Sequence, residues 1–287
     1  MKLPLRLIAL VGLTLVSGLP GGIALAQPAP QPTAARSWSS DPRVQSRTYV
    51  FTNTGETLPY AIFVSSKVTK ETKAPLIVAL RGAGGNPGVF LHDPAMKLAD
   101  EGGYILVAPM GYTAMGNYGN QGMSAGGFGR RGGAPTNAPA VAPAPATVDA
   151  SKTSEYSEQD VMNVLAMVRK EFNIDDHRIY LMGHSQGGAG ALHIGDKYSS
   201  IWAAVAGLAP GAPGFQLDAT AKFANVPVLI MVGEKDTLIG SVQRLDARMK
   251  ELNIAHEYKE VPGKDHGGII MGGMPDVFSF FGQHVKP

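Results

Sequence analysis

Five short apolar runs set the frame of this chain: Leu76–Leu80, Tyr104–Pro109, Ile179–Met182, Trp202–Leu208 and Val228–Val232. A strand with one wet face alternates apolar and polar residues, whereas a strand covered on both faces is apolar throughout. These runs do not alternate and are short for helices, so they predict buried strands of a parallel sheet. Upstream, Arg47–Phe51 and Tyr60–Val64 flank Thr52-Asn53-Thr54-Gly55 and read as an antiparallel hairpin. His256–Val261 reads as a last strand. Helical spacing appears in between. Val161, Val164, Leu165, Val168 and Phe172 follow a Ser157-Glu158-Gln159-Asp160 start, and Val242–Leu252 and Pro275–Val285 are amphipathic. Strands alternating with helices after an opening hairpin imply an α/β architecture with right-handed crossovers.

The ends and one internal stretch fall outside that alternation. Lys2 and Arg6 precede a nearly all-apolar run over 7–19, and Ala24-Leu25-Ala26 offers small residues at the two positions a signal peptidase reads. We expect residues 1–26 to be an export signal cleaved before Gln27, leaving a secreted or periplasmic protein without a stable membrane anchor. Gly18, Pro20 and Gly21-Gly22 interrupt the run, which is short against the ~20 apolar residues of a membrane span. Residues 27–43 read as a flexible leader, and 44–287 as one catalytic-size domain. Residues 111–150, rich in Gly, Ala, Pro and Asn, read as an insertion whose second half, 132–147, is expected to be mobile.

Charge and cysteine content exclude several function classes. Without Lys2 and Arg6 the 25 Lys+Arg fall to the same number as the 23 Asp+Glu, so no nucleic acid partner is implied. There is no Cys, hence neither a disulfide nor a thiolate metal site, and no His pair stands at ligand spacing. No metal and no cofactor are expected.

The chemistry-bearing residues cluster at the ends of the predicted strands. Gly183-His184-Ser185-Gln186-Gly187 is a G-x-S-x-G motif between the strand Ile179–Met182 and the small-residue helical run Gly188-Ala189-Gly190-Ala191-Leu192. That strand–turn–helix setting is what a strained, exposed serine nucleophile needs, and the following helix aims N–H groups at a developing oxyanion. Ser185 is therefore the candidate nucleophile. His266 lies in Pro262–Gly268, a loop after the last strand, and is the candidate base; His193, His256 and His284 fall within or at the ends of predicted elements. Asp236 follows Val228–Val232 in Gly233-Glu234-Lys235-Asp236-Thr237 and is the candidate acid, with Glu234 and Asp265 as rivals. The expected oxyanion donors are the backbone N–H groups of Gln186 and of Ala83, the latter on the glycine-rich loop Arg81–Asn86.

The series Leu80–Asn86, Gly183–Gly188, Gly233–Thr237 and Gly263–Gly267 resembles the α/β-hydrolase superfamily. More narrowly it is similar to secreted esterases of the polyhydroxybutyrate-depolymerase/feruloyl-esterase and prolyl-oligopeptidase-like groups, over about residues 45–285. The resemblance implies a mostly parallel central sheet with helices on both faces, and serine ester hydrolysis of a small-molecule or polymer-borne substrate through an acyl-enzyme. The chain departs from those relatives at Arg81-Gly82, where they commonly have His-Gly. Only residues 209–225 separate the strand ending at Leu208 from the next, so little room exists there for a helical cap and the site is expected to be open. Two alternatives stand beside ester hydrolysis. A peptidase of the same superfamily usually carries a propeller or cap domain that 287 residues do not accommodate. A non-catalytic binding protein of this fold has typically lost a member of the triad.

Overall fold

A computed structural model describes residues 37–119, 150–211, 221 and 223–287. Its centre is an eight-stranded sheet in the order β1-β2-β4-β3-β5-β6-β7-β8. β1 (Val44–Phe51) and β2 (Glu56–Val64) form the predicted hairpin, and β2 also runs antiparallel to β4 (Ile105–Pro109). The remaining neighbours are parallel: β3 (Ala74–Leu80), β4, β5 (Ile174–His184), β6 (Ala204–Leu208), β7 (Val228–Gly233) and β8 (His256–Val261).

The non-alternating runs are apolar because each strand feeds two cores. Leu76, Val78 and Leu80 of β3 face one core, and Ile77 and Ala79 face the other. The first core is closed by α2 (Thr153–Glu171), α3 (Gln186–Lys197) and α4 (Ile239–Glu251), through Val161, Val164, Val168, Leu192, Val242 and Leu245. The second is closed by α1 (Ala95–Gly102), α5 (Gly268–Gly272) and α6 (Met274–Gln283), through Met96, Ala99, Ile269, Val277 and Phe281. This is the α/β-hydrolase fold expected from the motifs.

One helix boundary differs from the sequence reading in an informative way. α2 starts at Thr153, so Ser157, Glu158 and Asp160 lie inside it rather than at its cap, and all three are buried. Their side chains have tertiary partners instead. Ser157 Oγ accepts from Tyr112 N–H (3.0 Å) and Asp160 Oδ2 accepts from Gly111 N–H (2.7 Å). The described start of the Gly/Ala/Pro-rich stretch, residues 111–119, is thus seated on α2, with Tyr118 fully buried. The expected export signal, most of the leader and the expected mobile part of the insertion lie outside the described residues. Among the described residues no helix is long and apolar enough to cross a membrane.

Candidate active site

At the carboxyl end of β5 the chain turns sharply into α3, and Ser185 occupies the turn with φ 54° and ψ −119°. A non-glycine residue stays in this region only where its surroundings over-determine it. The flanking glycines supply much of that constraint. A Cβ on Gly183 would lie 2.0 Å from Gly187 O, and one on Gly187 would lie 2.1 Å from Leu80 O. Ser185 N–H donates to Leu208 O at 2.8 Å, which fastens the turn to the next strand.

The three residues expected to act together form one hydrogen-bonded chain. His266 Nε2 is 3.0 Å from Ser185 Oγ, and His266 Nδ1 is 2.8 Å from Asp236 Oδ2. An ionised carboxylate only accepts, so Nδ1 carries the proton and Nε2 is left to accept from the hydroxyl. Asp236 is 2 % exposed, and its Oδ1 accepts from Leu238 N–H at 2.8 Å. The two rival carboxylates serve their own loops: Glu234 accepts from Gly263 N–H (2.7 Å) and Asp265 from Gly268 N–H (2.7 Å). His193, His256 and His284 make bonds away from the site, to Glu158, Asp246 and Phe280 O respectively.

His184, inside the G-x-S-x-G motif, has a role that sequence reasoning did not assign. Its Nε2–H donates to His266 O at 2.7 Å, so the neighbour of Ser185 holds the backbone of His266. Burial, and then the nearby His266, push its pKa down to about 4. It is therefore a neutral strut at neutral pH.

The side of the site where the oxyanion donors are expected is built from the loop after β3 and from residues 110–117. A Cβ on Gly82 would lie 3.3 Å from Ser185 Cβ, so this loop passes directly against the serine. Gly84 N–H donates to Ala114 O (2.8 Å) and Gly85 N–H to Gly82 O (3.1 Å). Gln186 is the first residue of α3, where backbone N–H groups have no intrahelical acceptor. Its buried side-chain amide donates to Asn117 Oδ1 (2.6 Å) and Met115 O (3.2 Å) and accepts from Arg81 Nη1 (3.1 Å).

Arg81 itself is fully buried. Its Nε donates to Met110 O (2.8 Å), Nη1 to Gly82 O (2.9 Å) and Nη2 to Thr113 O, and its guanidinium carbon lies 5.2 Å from the ring centre of Tyr118. Burial lowers its pKa from the ordinary arginine value, and Tyr118 and Asp160 oppose that shift. The sequence carried a signal for this arrangement: an arginine closing an apolar strand, ahead of a glycine-rich loop, has to find acceptors inside the protein. The acceptors themselves, mostly backbone carbonyls, carry no sequence signature.

Comparisons with known proteins agree with this architecture. The family model described as "Dienelactone hydrolase family" matches residues 61–270. An S-formylglutathione hydrolase from Agrobacterium tumefaciens superposes with a TM-score of 0.63 at 16 % identity, covering 84 % of this chain and 95 % of that one. A ferulic acid esterase from Anaeromyces mucronatus, solved with ferulic acid, superposes with a TM-score of 0.60 at 20 % identity, covering 83 % and 90 %. A dipeptidyl aminopeptidase IV-like protein from Bacteroides ovatus, at 14 % identity and a TM-score of 0.57, matches over 84 % of this chain but only 36 % of its own. No curated protein sequence matches the chain. With the family model spanning both the strand that leads into Ser185 and the loop that bears His266, this chain belongs to the dienelactone hydrolase family, a family of α/β-hydrolases.

Proposed function

We propose that the protein is an exported serine hydrolase that cleaves carboxylic esters through an acyl-enzyme. The observation that carries this reading is the continuous chain Ser185 Oγ–His266 Nε2 (3.0 Å) and His266 Nδ1–Asp236 Oδ2 (2.8 Å) at the carboxyl edge of the sheet. Ser185 Oγ attacks the ester carbonyl as its proton passes to His266 Nε2, and the buried Asp236 carboxylate stabilises the imidazolium. The negative charge that forms on the carbonyl oxygen is met by the N–H groups of Gln186 and Ala83. Collapse transfers the proton from His266 to the departing alkoxide, and a water activated by the same histidine then releases the acid.

A ferulic acid esterase and an S-formylglutathione hydrolase share this scaffold, which supports a hydrolytic reading. A small-molecule or polymer-borne ester is the substrate class we assign. Purified enzyme should label with a fluorophosphonate and turn over nitrophenyl or hydroxycinnamoyl esters. Ser185→Ala should lose labelling and roughly 10⁴–10⁶ in turnover while keeping the wild-type melting temperature. A labelled, fully active Ser185→Ala protein would sink the proposal, and cleavage of peptides but not esters would replace it with the peptidase reading. Export is tested separately, by the mature N-terminus, which we place at Gln27.

A further inference from the structure

We propose that Arg81 is a positioning residue that orients the peptide unit supplying the Ala83 N–H to the oxyanion, and couples it to the Gln186 side. The inference rests on the serine-hydrolase reading above and deepens it.

The peptide bond between Gly82 and Ala83 carries two groups of interest, the carbonyl of Gly82 and the N–H of Ala83. In a planar trans peptide these point in opposite directions, so fixing one fixes the other. Arg81 Nη1 donates to Gly82 O at 2.9 Å, and Gly85 N–H donates to the same oxygen at 3.1 Å. Both donors hold that carbonyl turned into the protein, which leaves the Ala83 N–H directed the other way. The loop runs beside Ser185, close enough that a Cβ added to Gly82 would lie 3.3 Å from Ser185 Cβ. Among the described residues, Ala83 N–H has no protein acceptor, whereas its neighbours at Gly84 and Gly85 both do.

Arg81 Nη1, which donates to Gly82 O, also donates to Gln186 Oε1 at 3.1 Å. One guanidinium group therefore ties the peptide unit that carries the Ala83 N–H to the side chain of Gln186. The rest of the guanidinium is spent on the wall behind them, at Met110 O and Thr113 O. A hydrogen bond accepted by a peptide carbonyl polarises that peptide and strengthens its N–H as a donor. A buried cation behind the donors acts in the same direction on negative charge forming in front of them. Arginine is required for this, because a planar fork spanning several acceptors cannot be copied by the point charge of lysine.

Arg81→Lys keeps a positive charge and loses the fork. We expect kcat to fall by roughly 10²-fold, the scale of losing one oxyanion donor, with KM within about threefold of wild type. Affinity for a trifluoromethyl ketone, which places an oxyanion in the hole, should fall in proportion to kcat/KM. The amide proton resonance of Ala83 should move upfield as its peptide loses polarisation. An Arg81→Lys protein with wild-type kcat and an unmoved Ala83 resonance, even if its melting temperature drops, overturns the proposal. If Arg81→Lys does not fold, the crystal structure of the wild-type fluorophosphonate adduct decides. The phosphonyl oxygen should lie within hydrogen-bond distance of both Ala83 N and Gln186 N, with Arg81 on Gly82 O, and a phosphonyl oxygen turned away from Ala83 overturns it. If the wild type hydrolyses no ester, the functional reading falls while the Ala83 resonance still reads the Arg81 link.

Discussion

At the scale of single residues, the sharpest expectation separates three carboxylates on the loops that follow β7 and β8, where His266 sits. Asp236→Asn should fold normally and lose on the order of 10⁴ in kcat, because an amide can hold the imidazole in the wrong tautomer. Glu234→Gln and Asp265→Asn remove acceptors for Gly263 and Gly268 N–H groups and should lower the melting temperature slightly while leaving kcat within a few-fold. Steady-state kinetics on the three purified variants tests this, and a mild Asp236→Asn would remove it from the acid's role. Residues of this kind were legible in the sequence because each had to sit on a short loop directly after an apolar run. His184 and Asn117 were not, and of Arg81 only its need for buried acceptors was, since their partners are backbone carbonyls and loop contacts that only the folded chain brings together.

At the scale of elements, the turn between β5 and α3 leaves no room for added atoms. Gly187→Ala would drive a Cβ against the carbonyl oxygens of Leu80 and Arg81, at 2.1 and 2.4 Å, and backbone on both sides blocks relief. It should therefore disable the site and the fold together, seen as a lower denaturation midpoint accompanying lost activity. Leu181→Ala, in the centre of β5 with its side chain fully buried, should cost about 2–5 kcal/mol by urea titration through the cavity it leaves. The buried strands were legible for the same reason that this substitution is costly: two covered faces allow no polar residue. α1 was not foreseen, as its buried stripe is only Ala95, Met96 and Ala99, too short a pattern to stand out. The start of α2 was misplaced because Ser157 and Asp160 serve residues 111 and 112, and Glu158 serves α3, rather than the helix end.

At the scale of the whole molecule, two buried groups oppose each other in acid. His184 is held down to about 4, so the folded state resists its protonation and loses stability as pH falls from about 6.5 to 4. Asp160 is pushed up to about 6 by burial, outweighing the hydrogen bonds of Tyr49 and Gly111. It therefore contributes stability that grows as pH falls from 6 towards 3.8. Between about pH 6 and 4.5 these slopes offset, and the denaturation midpoint should be nearly flat. Below that, carboxylates with lowered pKa decide, Glu158 among them: burial raises its pKa, but hydrogen bonds from His193, Lys197 and Tyr198 win and hold it at about 2, so its contribution to stability is lost as pH falls from 4.5 towards 2. Asp160→Asn should uncover the histidine slope, and urea midpoints across pH 4–7 that decline no more steeply than wild type would refute the compensation. The seating of residues 111–119 has a different consequence, for descent with modification. Residues 110–117 contact Arg81 and Gln186 at one end of the site and, through Gly111 and Tyr112, Asp160 and Ser157 of α2 at the other. A lineage that alters Ser157 or Asp160 therefore disturbs the wall behind Ser185, so the two must change together.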